Sequence, residues 1–404
     1  MITSRPALWL RDEPKRGERR AALTPSAVKA LVAAGFEVTV ERSAARAFAD
    51  DEYASSGARL VHGTAWRQAP PDAVIVGLKE LDASLGPFTR RHVHFAHAFK
   101  RQHGWDTLLA AFARGGGRLF DLEYLVDERG RRIAAFGYWA GYVGAALGVL
   151  ALAAQRGGTG SVPGPLHGPL DAWSDRDALL VDVRAARDAL ASGPSGATGA
   201  PAALVFGALG RSGRGAVDLL RAAGIEPSRR DRDETAPGGP FDAVLEHELV
   251  INCVFVAEPV PAFTTLEHLS GRGRRTRVIV DVSCDPFGEA NVLPVYACPT
   301  TLDVPVSRLI DGAASDAAVP PLDLIAIDHL PALLPRESSE DFCAQLLPAL
   351  LALGGGNGDG GGDGDGFAHG PFGRAAAVFE RERDAALAIR SGTAKGAPST
   401  GDAP

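Results

Sequence analysis

The feature that most constrains this chain is a repeated alternation of short apolar segments with helical ones. Strand–helix–strand repetition predicts a parallel sheet with helices on its faces. The alternation runs through the first 125 residues and starts again at residue 202. We therefore predict an α/β protein with two Rossmann-like domains, whose parallel sheets face an inter-domain cleft. The predicted strands lie within 7–11, 36–41, 73–79, 92–98, 117–123, 202–224, 249–255, 276–283 and 322–330.

Helix signals and chain length set the domain boundaries. Thr24 and Pro25 are typical of an N-cap and a first helical position, and Gly35 is typical of a helix end. At 404 residues the chain is long enough for two or three domains. We predict a first domain from residues 1–135 plus 336–404, and a second domain from 136–335. The Gly/Asp-rich segment 354–366 lacks EF-hand spacing and is predicted to be a disordered insertion.

One apolar segment has two interpretations. The 22 residues 133–154 carry no charge, which is long enough for a membrane span. Ala and Gly dominate the segment, however, and Gly137, Gly141, Gly144 and Gly148 have a spacing that suits close helix packing in water or lipid. We favour a buried helix and keep the membrane span as the alternative.

Charge and cysteine content exclude several classes of protein. The net charge of −7 argues against a nucleic-acid-binding protein, which is normally basic. Charges at 11–13 interrupt the first apolar run, so no secretory leader is expected and we expect a cytoplasmic protein. Neither a membrane nor a nucleic acid is an expected partner, and we expect a monomer. No pair has the CxxC spacing of zinc ribbons among Cys253, Cys284, Cys298 and Cys343.

A glycine-rich turn suggests a dinucleotide site. The GxxGxxG pattern at 207–213 follows an apolar strand and precedes a helix, as the related GxGxxG fingerprint does. Asp231 lies 21 residues after Gly210, where an acidic residue would bind the ribose of NAD. The neighbouring Arg230 and Arg232 could bind the 2′-phosphate of NADP, so NADP is an alternative, but NAD is favoured. A glycine-rich turn without a cofactor is the alternative.

Lys79 is the first candidate for acid–base chemistry. The chain has only five Lys among 42 basic residues, and Lys79 closes a buried strand in VGLKE. Burial lowers the pKa of an amine and can make it a general base, and Glu80 beside it could adjust that pKa. A solvated lysine at a strand end is the alternative.

Four histidines form a second candidate group, namely His92, His94, His97 and His103. His92 and His94 share one strand face, which raises the possibility of a metal site, yet the HxHxxH spacing is not a recognised ligand set. A single catalytic histidine, His97 in FAHAFK, is the more plausible interpretation. Substrate carboxylates could be bound by Arg20 and by Arg131 or Arg132, since guanidinium groups bind carboxylates bidentately, although most Arg residues serve structural or solvated roles.

Ten strings in this order resemble the saccharopine dehydrogenase family (NAD-dependent, L-lysine-forming). The resemblance covers roughly residues 7–350, and the strings read LRDEPKRGERRAALTP, VGLKE, HFAHAFK, FDLEYL, GRRIAAFGYWAGYVGAALG, GALGRSGRGA, GGPFD, INCVF, IVDVSCD and IDHLPALLPRE. The wider group includes alanine dehydrogenase and the NAD-binding part of transhydrogenase. A related opine or alanine dehydrogenase, or a non-catalytic NAD-binding protein, is the alternative.

The resemblance implies the last step of the α-aminoadipate route to lysine. Such enzymes oxidise the secondary amine of saccharopine with NAD, and water then splits the imine into lysine and 2-oxoglutarate. The family's catalytic pair matches Lys79, as base for the amine, and His97, as acid–base for hydrolysis. Glu80 and Glu123 would adjust their pKa values. The resemblance implies that the domain of residues 1–135 plus 336–404 binds substrate and carries catalysis, and that the domain of 136–335 binds NAD. The implied substrate contacts are Arg20, Lys79, Gln102, Arg132, Phe136, Ser283, Cys284 and Asp285.

The resemblance also implies a set of cofactor contacts and two departures. The cofactor NAD would contact Arg131, Gly210, Arg211, Asp231, Thr235, Phe255, Val282, Ile327, Asp328, His329 and Leu330. The family often has Cys where this chain has Ser212, so a disulfide to Cys253 cannot form. It often has Tyr where this chain has Phe255, which removes a hydroxyl group near the cofactor. Neither departure touches the catalytic pair.

Overall fold

A computed structural model describes residues 5–13, 15, 17–99, 101, 104–157, 166, 168–192, 200–256, 258–271, 273–288, 290–312, 320–353 and 366–391. The predicted insertion at 354–366 and Gln102 fall outside these residues, apart from Gly366. The chain divides into two compact units, Met1–Ala135 with Ser338–Pro404, and Phe136–Glu337.

The first unit is built on a parallel sheet. Its strands are β1 (Leu8–Leu10), β2 (Val38–Glu41), β3 (Arg59–Val61), β4 (Val74–Val76), β5 (Arg91–His94) and β6 (Arg118–Asp121). They are ordered β3-β2-β1-β4-β5-β6, and neighbouring strands pair in parallel. Parallel strands end at the same edge of a sheet, so the segments that follow β1, β4, β5 and β6 lie along one edge.

Helices cover this sheet. They are α1 (Pro25–Ala33), α2 (Asp50–Ser55), α3 (Trp105–Gly115), α10 (Pro335–Ala352), which belongs to this unit from Ser338, and α11 (Gly370–Arg390). Thr24 caps α1 by accepting a hydrogen bond from the Ala27 N–H, and Gly35 follows with a φ of +89°. Both helix ends therefore form where the sequence predicted them. Short 3₁₀ helices lie at Ala65–Gln68 and Ala83–Leu85.

The second unit has a mostly parallel sheet. Its strands are β7 (Ala203–Phe206), β8 (Ser228–Arg230), β9 (Leu249–Asn252), β10 (Val278–Asp281), β11 (Ser307–Ile310) and β12 (Leu322–Ile325), ordered β11-β12-β10-β9-β7-β8. The edge strand β11 pairs antiparallel with β12 and carries a register shift. Its helices are α4 (Gly137–Gly157), α5 (Arg176–Ser192), α6 (Arg211–Ala222), α7 (Arg232–Thr235), α8 (Ala243–Glu246) and α9 (Leu266–Leu269), with a 3₁₀ helix at Leu330–Leu333.

The long apolar helix α4 forms the core of the second unit. By length and composition it could span a membrane, but 78% of its apolar window is buried inside the protein. A Cβ on Gly141 would lie 1.7 Å from the Ser212 carbonyl oxygen, and one on Gly215 would lie 1.9 Å from that of Tyr138. The backbones of α4 and α6 thus pack directly against each other, which only glycine permits. The small-residue spacing serves close packing inside a folded unit, as the preferred interpretation predicted.

Candidate functional site

Lys79 lies in the segment that follows β4. Its side chain is 12% exposed, and its Nζ lies 3.7 Å from Oε2 of Glu18. Burial lowers the pKa of Lys79, the Arg20 cation lowers it further, and Glu18 opposes both effects. A buried amine with a lowered pKa loses its proton more readily than a solvated lysine, which is what a general base requires.

Glu18 joins Lys79 to Arg20. Nε and Nη2 of Arg20 donate to the two oxygens of Glu18 at 2.8 and 2.6 Å, and both residues are buried. Burial by itself would raise the pKa of Glu18, but Arg20 and then Lys79 lower it to about 2. Arg20 is therefore already engaged with a carboxylate, and its contact with substrate stays a prediction. Glu18 was not predicted from the sequence, although it lies two residues before Arg20.

His97 lies in the segment that follows β5. It is half-buried, its ring stacks on Phe95 at 6.4 Å, and its φ of +52° is in the left-handed region. Non-glycine residues rarely adopt this region, and they do so preferentially at functional sites. The buried Asp121 accepts the N–H groups of Ala96, at 3.3 Å, and Glu123, at 2.9 Å. It therefore ties the turn of His97 to the segment after β6.

The other described histidines of the cluster are part of the core. His92 and His94 are fully buried, and no described residue hydrogen-bonds their rings. Burial lowers the pKa of His92 to about 3 and that of His94 well below its usual range. Among the residues that the structure describes, no group of three or more His, Cys, Asp and Glu side chains is placed to hold a metal ion.

The glycine loop of the second unit forms a tight turn between β7 and α6. Gly207 has a φ of +73°, and a Cβ on Gly213 would lie 2.0 Å from the Gly207 carbonyl oxygen. Gly210 is the N-cap of α6 and has no side chain to cover the first N–H groups of the helix. A glycine-lined helix N-terminus suits the pyrophosphate of a dinucleotide, so the residues present fit NAD.

Asp231 follows β8 directly and braces this loop. Its Oδ2 accepts the Leu209 N–H at 2.7 Å, and its Oδ1 accepts the Arg232 N–H at 2.9 Å. The Thr235 hydroxyl donates to the Asp231 carbonyl oxygen at 2.8 Å. The predicted ribose-binding carboxylate thus lies beside the glycine loop.

The segment after β10 carries further predicted residues, and Asp281, at the end of that strand, was not predicted. Ser283 donates its N–H and hydroxyl to Oδ1 of Asp281, at 3.1 and 2.6 Å. Asp281 also accepts from Asn252 at 2.9 Å and from the Tyr296 hydroxyl at 2.7 Å. Cys284 has a φ of +48°, and burial raises its pKa to about 12. Asp281, fully buried, therefore organises the turn that holds Val282, Ser283, Cys284 and Asp285.

The remaining predicted residues vary in exposure. Phe255 follows β9 and is 65% exposed, whereas Ile327 and Leu330, after β12, have side chains buried in the core.

The two predicted arginines after β6 both contact carboxylates. Arg131 is exposed, and its Nη2 lies 2.8 Å from Oδ2 of Asp127. Nη2 of Arg132 lies 3.6 Å from Oε1 of Glu123. Phe136 begins the second unit and is half-buried. Asp328 and His329 lie in the segment after β12, and Arg211 is the first residue of α6, which follows β7. All four cysteines are free.

Comparisons with known proteins find a family model for the first third of the chain and relatives over most of its length. Residues 9–143 match the family description "Alanine dehydrogenase/PNT, N-terminal domain". The chain is 44% identical over 349 residues to the saccharopine dehydrogenase (NAD(+), L-lysine-forming) of Neurospora crassa, covering 86% of this chain and 91% of the relative. Proteins of the same name are 45% identical in Emericella nidulans (86% and 92% covered) and 43% identical in Schizosaccharomyces pombe (86% and 93%).

Solved structures support the fold. An L-alanine dehydrogenase superposes with a TM-score of 0.58 at 18% identity, covering 87% of this chain and 90% of that one. A transhydrogenase from Sinorhizobium meliloti gives 0.55 at 16% identity, covering 85% and 93%. At these identities the likeness establishes the fold alone, an α/β fold with Rossmann-like parallel sheets, as the sequence predicted.

Proposed function

Because the chain belongs to the NAD(+)-dependent, L-lysine-forming saccharopine dehydrogenase family, we propose that Lys79 and His97 are its acid–base catalysts. The enzyme oxidises saccharopine with NAD and releases L-lysine and 2-oxoglutarate, and the reaction is reversible. The second unit binds the cofactor, and the first unit carries the acid–base residues. Bound NAD supplies the hydride acceptor.

Each group has a proposed role in this reaction. Lys79 takes the proton of the secondary amine as the carbon–nitrogen bond is oxidised to an imine. His97 then moves protons for the attack of water and the departure of lysine. Arg20 and Arg132 bind substrate carboxylates, Asp231 binds the ribose, and the N–H groups after Gly210 bind the pyrophosphate. The Ser283–Asp285 turn contributes to substrate binding.

The observation that carries this proposal is the environment of Lys79. The amine is buried beside Glu18, whose carboxylate is already paired with Arg20, so two cations compete for one anion. Such competition favours the neutral amine. A lysine that only bound a substrate carboxylate would need to keep its charge.

The experiment is an NADH absorbance assay with saccharopine and NAD, with L-alanine and other opines as comparison substrates. Lys79→Met and Lys79→Arg should each lower the rate on the order of 10²–10⁴-fold, since arginine keeps its proton at any working pH. Lys29→Arg, at an exposed position of α1, is the matched control and should be unchanged. Near-normal turnover of Lys79→Arg would contradict the base role.

We also propose that one chain suffices for catalysis in a cytoplasmic compartment. Both acid–base residues and the glycine loop are supplied by this chain. Light scattering of the active enzyme during turnover should give the mass of one chain. A dimer whose dissociation abolishes activity would contradict the monomer.

A further inference from the structure

We propose that Glu13 and Arg11 form a clamp that positions Lys79 for catalysis. The inference rests on the proposed base role of Lys79 and concerns how its main chain is held. Both clamp residues follow β1, and Lys79 follows the neighbouring strand β4.

Glu13 holds the amide groups of this segment. Its two carboxylate oxygens accept one N–H each, from Leu78 at 2.7 Å and from Lys79 at 2.9 Å. The side chain of Glu13 is only 5% exposed. Two parallel bonds to successive N–H groups fix the direction in which the Lys79 side chain leaves the backbone. They also require a carboxylate, because both oxygens must accept.

Arg11 holds the carbonyl side of the same residue. Its Nη2 donates to the Lys79 carbonyl oxygen, and its Nη1 lies 3.2 Å from Oε2 of Glu13. The guanidinium passes directly over Gly77, where a Cβ would lie 2.4 Å from Arg11 Nε. Gly77 is therefore needed for the arginine to reach Lys79, which explains the glycine in the GLK string.

The clamp also couples the two catalytic segments. The Leu78 carbonyl oxygen accepts the Phe95 N–H at 3.0 Å, and Phe95 stacks on the His97 ring. The Gly77 N–H donates to the Val93 carbonyl oxygen at 2.9 Å. The main chain of residues 77–79 is therefore hydrogen-bonded to the clamp residues on one side and to β5 and the segment after it on the other. A displacement of about 1 Å at a catalytic group can cost ~10²-fold in rate, so the clamp is expected to matter for turnover.

The test uses the full-length enzyme with NAD and saccharopine. Glu13→Gln keeps the size of the side chain but replaces one acceptor oxygen with an NH₂ group that faces an N–H. We expect kcat to fall about 10–100-fold while KM and NADH affinity stay within about threefold. Glu41→Gln is the matched control, because Glu41 is also buried and accepts backbone N–H groups, at Asp12, Thr64 and Trp66, but none at 77–79. We expect it to lower the melting temperature to a similar extent but to keep kcat within about threefold.

A double-mutant cycle separates positioning from a general structural role. In a Lys79→Met background, Glu13→Gln should lower the residual rate by less than about twofold, because it acts through the missing amine. An equal loss in both backgrounds, or a normal kcat for Glu13→Gln alone, would overturn the clamp. If Glu13→Gln does not fold, Arg11→Lys takes its place in the same cycle, with the same expectations. Normal turnover of Lys79→Met would instead contradict the proposed function itself.

Discussion

The Lys79 ammonium nitrogen lies 3.7 Å from a Glu18 oxygen that Arg20 contacts at 2.6 Å. The carboxylate is therefore shared unequally between two cations, with Arg20 as the closer partner. Lys79 keeps a weaker counter-charge than a simple buried ion pair would give it, and its pKa is lowered by burial and by Arg20.

Glu18→Gln should shift the pH dependence of the enzyme. Glu18 raises the pKa of Lys79 more than Glu80 does, so removing the Glu18 charge lowers that pKa further. Lys79 must be neutral to accept a proton, and activity therefore rises with pH through its pKa. The acidic limb of the kcat–pH profile should move to lower pH. Glu37→Gln, at an exposed position, should leave the limb in place, and a shift to higher pH would refute the arrangement.

His97→Asn should lower the rate without weakening cofactor binding. Asparagine tolerates the left-handed backbone of this position, so the variant should fold. We expect a loss on the order of 10²–10⁴-fold in kcat, since a general acid–base group is removed. NADH affinity, measured by fluorescence titration, should be unchanged because the glycine loop belongs to the other unit. Substitution of the exposed His62 by Asn provides the control. Full activity of His97→Asn would exclude the catalytic role.

Asp231→Asn should weaken the preference for NAD over NADP. The carboxylate repels a 2′-phosphate, and asparagine removes that charge while keeping an oxygen that can accept the Leu209 N–H. The ratio of kcat/KM values for NAD and NADP should fall about tenfold or more, which corresponds to ~1.4 kcal/mol. Asp233→Asn, on the exposed first turn of α7, should leave the ratio unchanged. An unaltered ratio for Asp231→Asn would show that another residue sets the preference.

His92→Phe should remove part of the acid sensitivity of folding. His92 packs among Trp66, Phe88 and Phe112 at 5.3–5.4 Å, so a phenyl ring suits the site. Its pKa is about 3 in the folded protein, so the unfolded chain binds more protons between about pH 3 and 6.5. Wild-type stability should therefore fall, relative to the variant, by about 1.4 kcal/mol per pH unit below 6.5.

Urea unfolding of both proteins at pH 7.5, 6.0 and 5.0 measures this difference. The exposed His62→Phe should keep the wild-type slope. Parallel stability curves for the wild type and His92→Phe would mean that His92 is not buried as a neutral ring.

Local sequence signals determined much of the fold. Thr24, Pro25 and Gly35 defined the ends of α1, because capping depends on a few neighbouring residues. Apolar runs defined the central strands, because such strands are buried on both faces. The edge strands β3, β8 and β11 were not predicted, because they have three or four residues whose side chains are exposed or half-buried, without the apolar run of a buried strand. Their formation depends on the sheet edge that they join.

The sequence by itself also determined which residue types could do the chemistry, namely a lysine and a histidine placed just after buried strands. Only the tertiary structure decided what surrounds them. Glu13, Glu18 and Arg20 meet Lys79 because β1 and β4, more than sixty residues apart, pair side by side. Burial and the sharing of Glu18 between two cations exist only once these strands are neighbours. The pKa of Lys79 is therefore a property of the assembled sheet edge, whereas its candidacy as a base could be read from the chain.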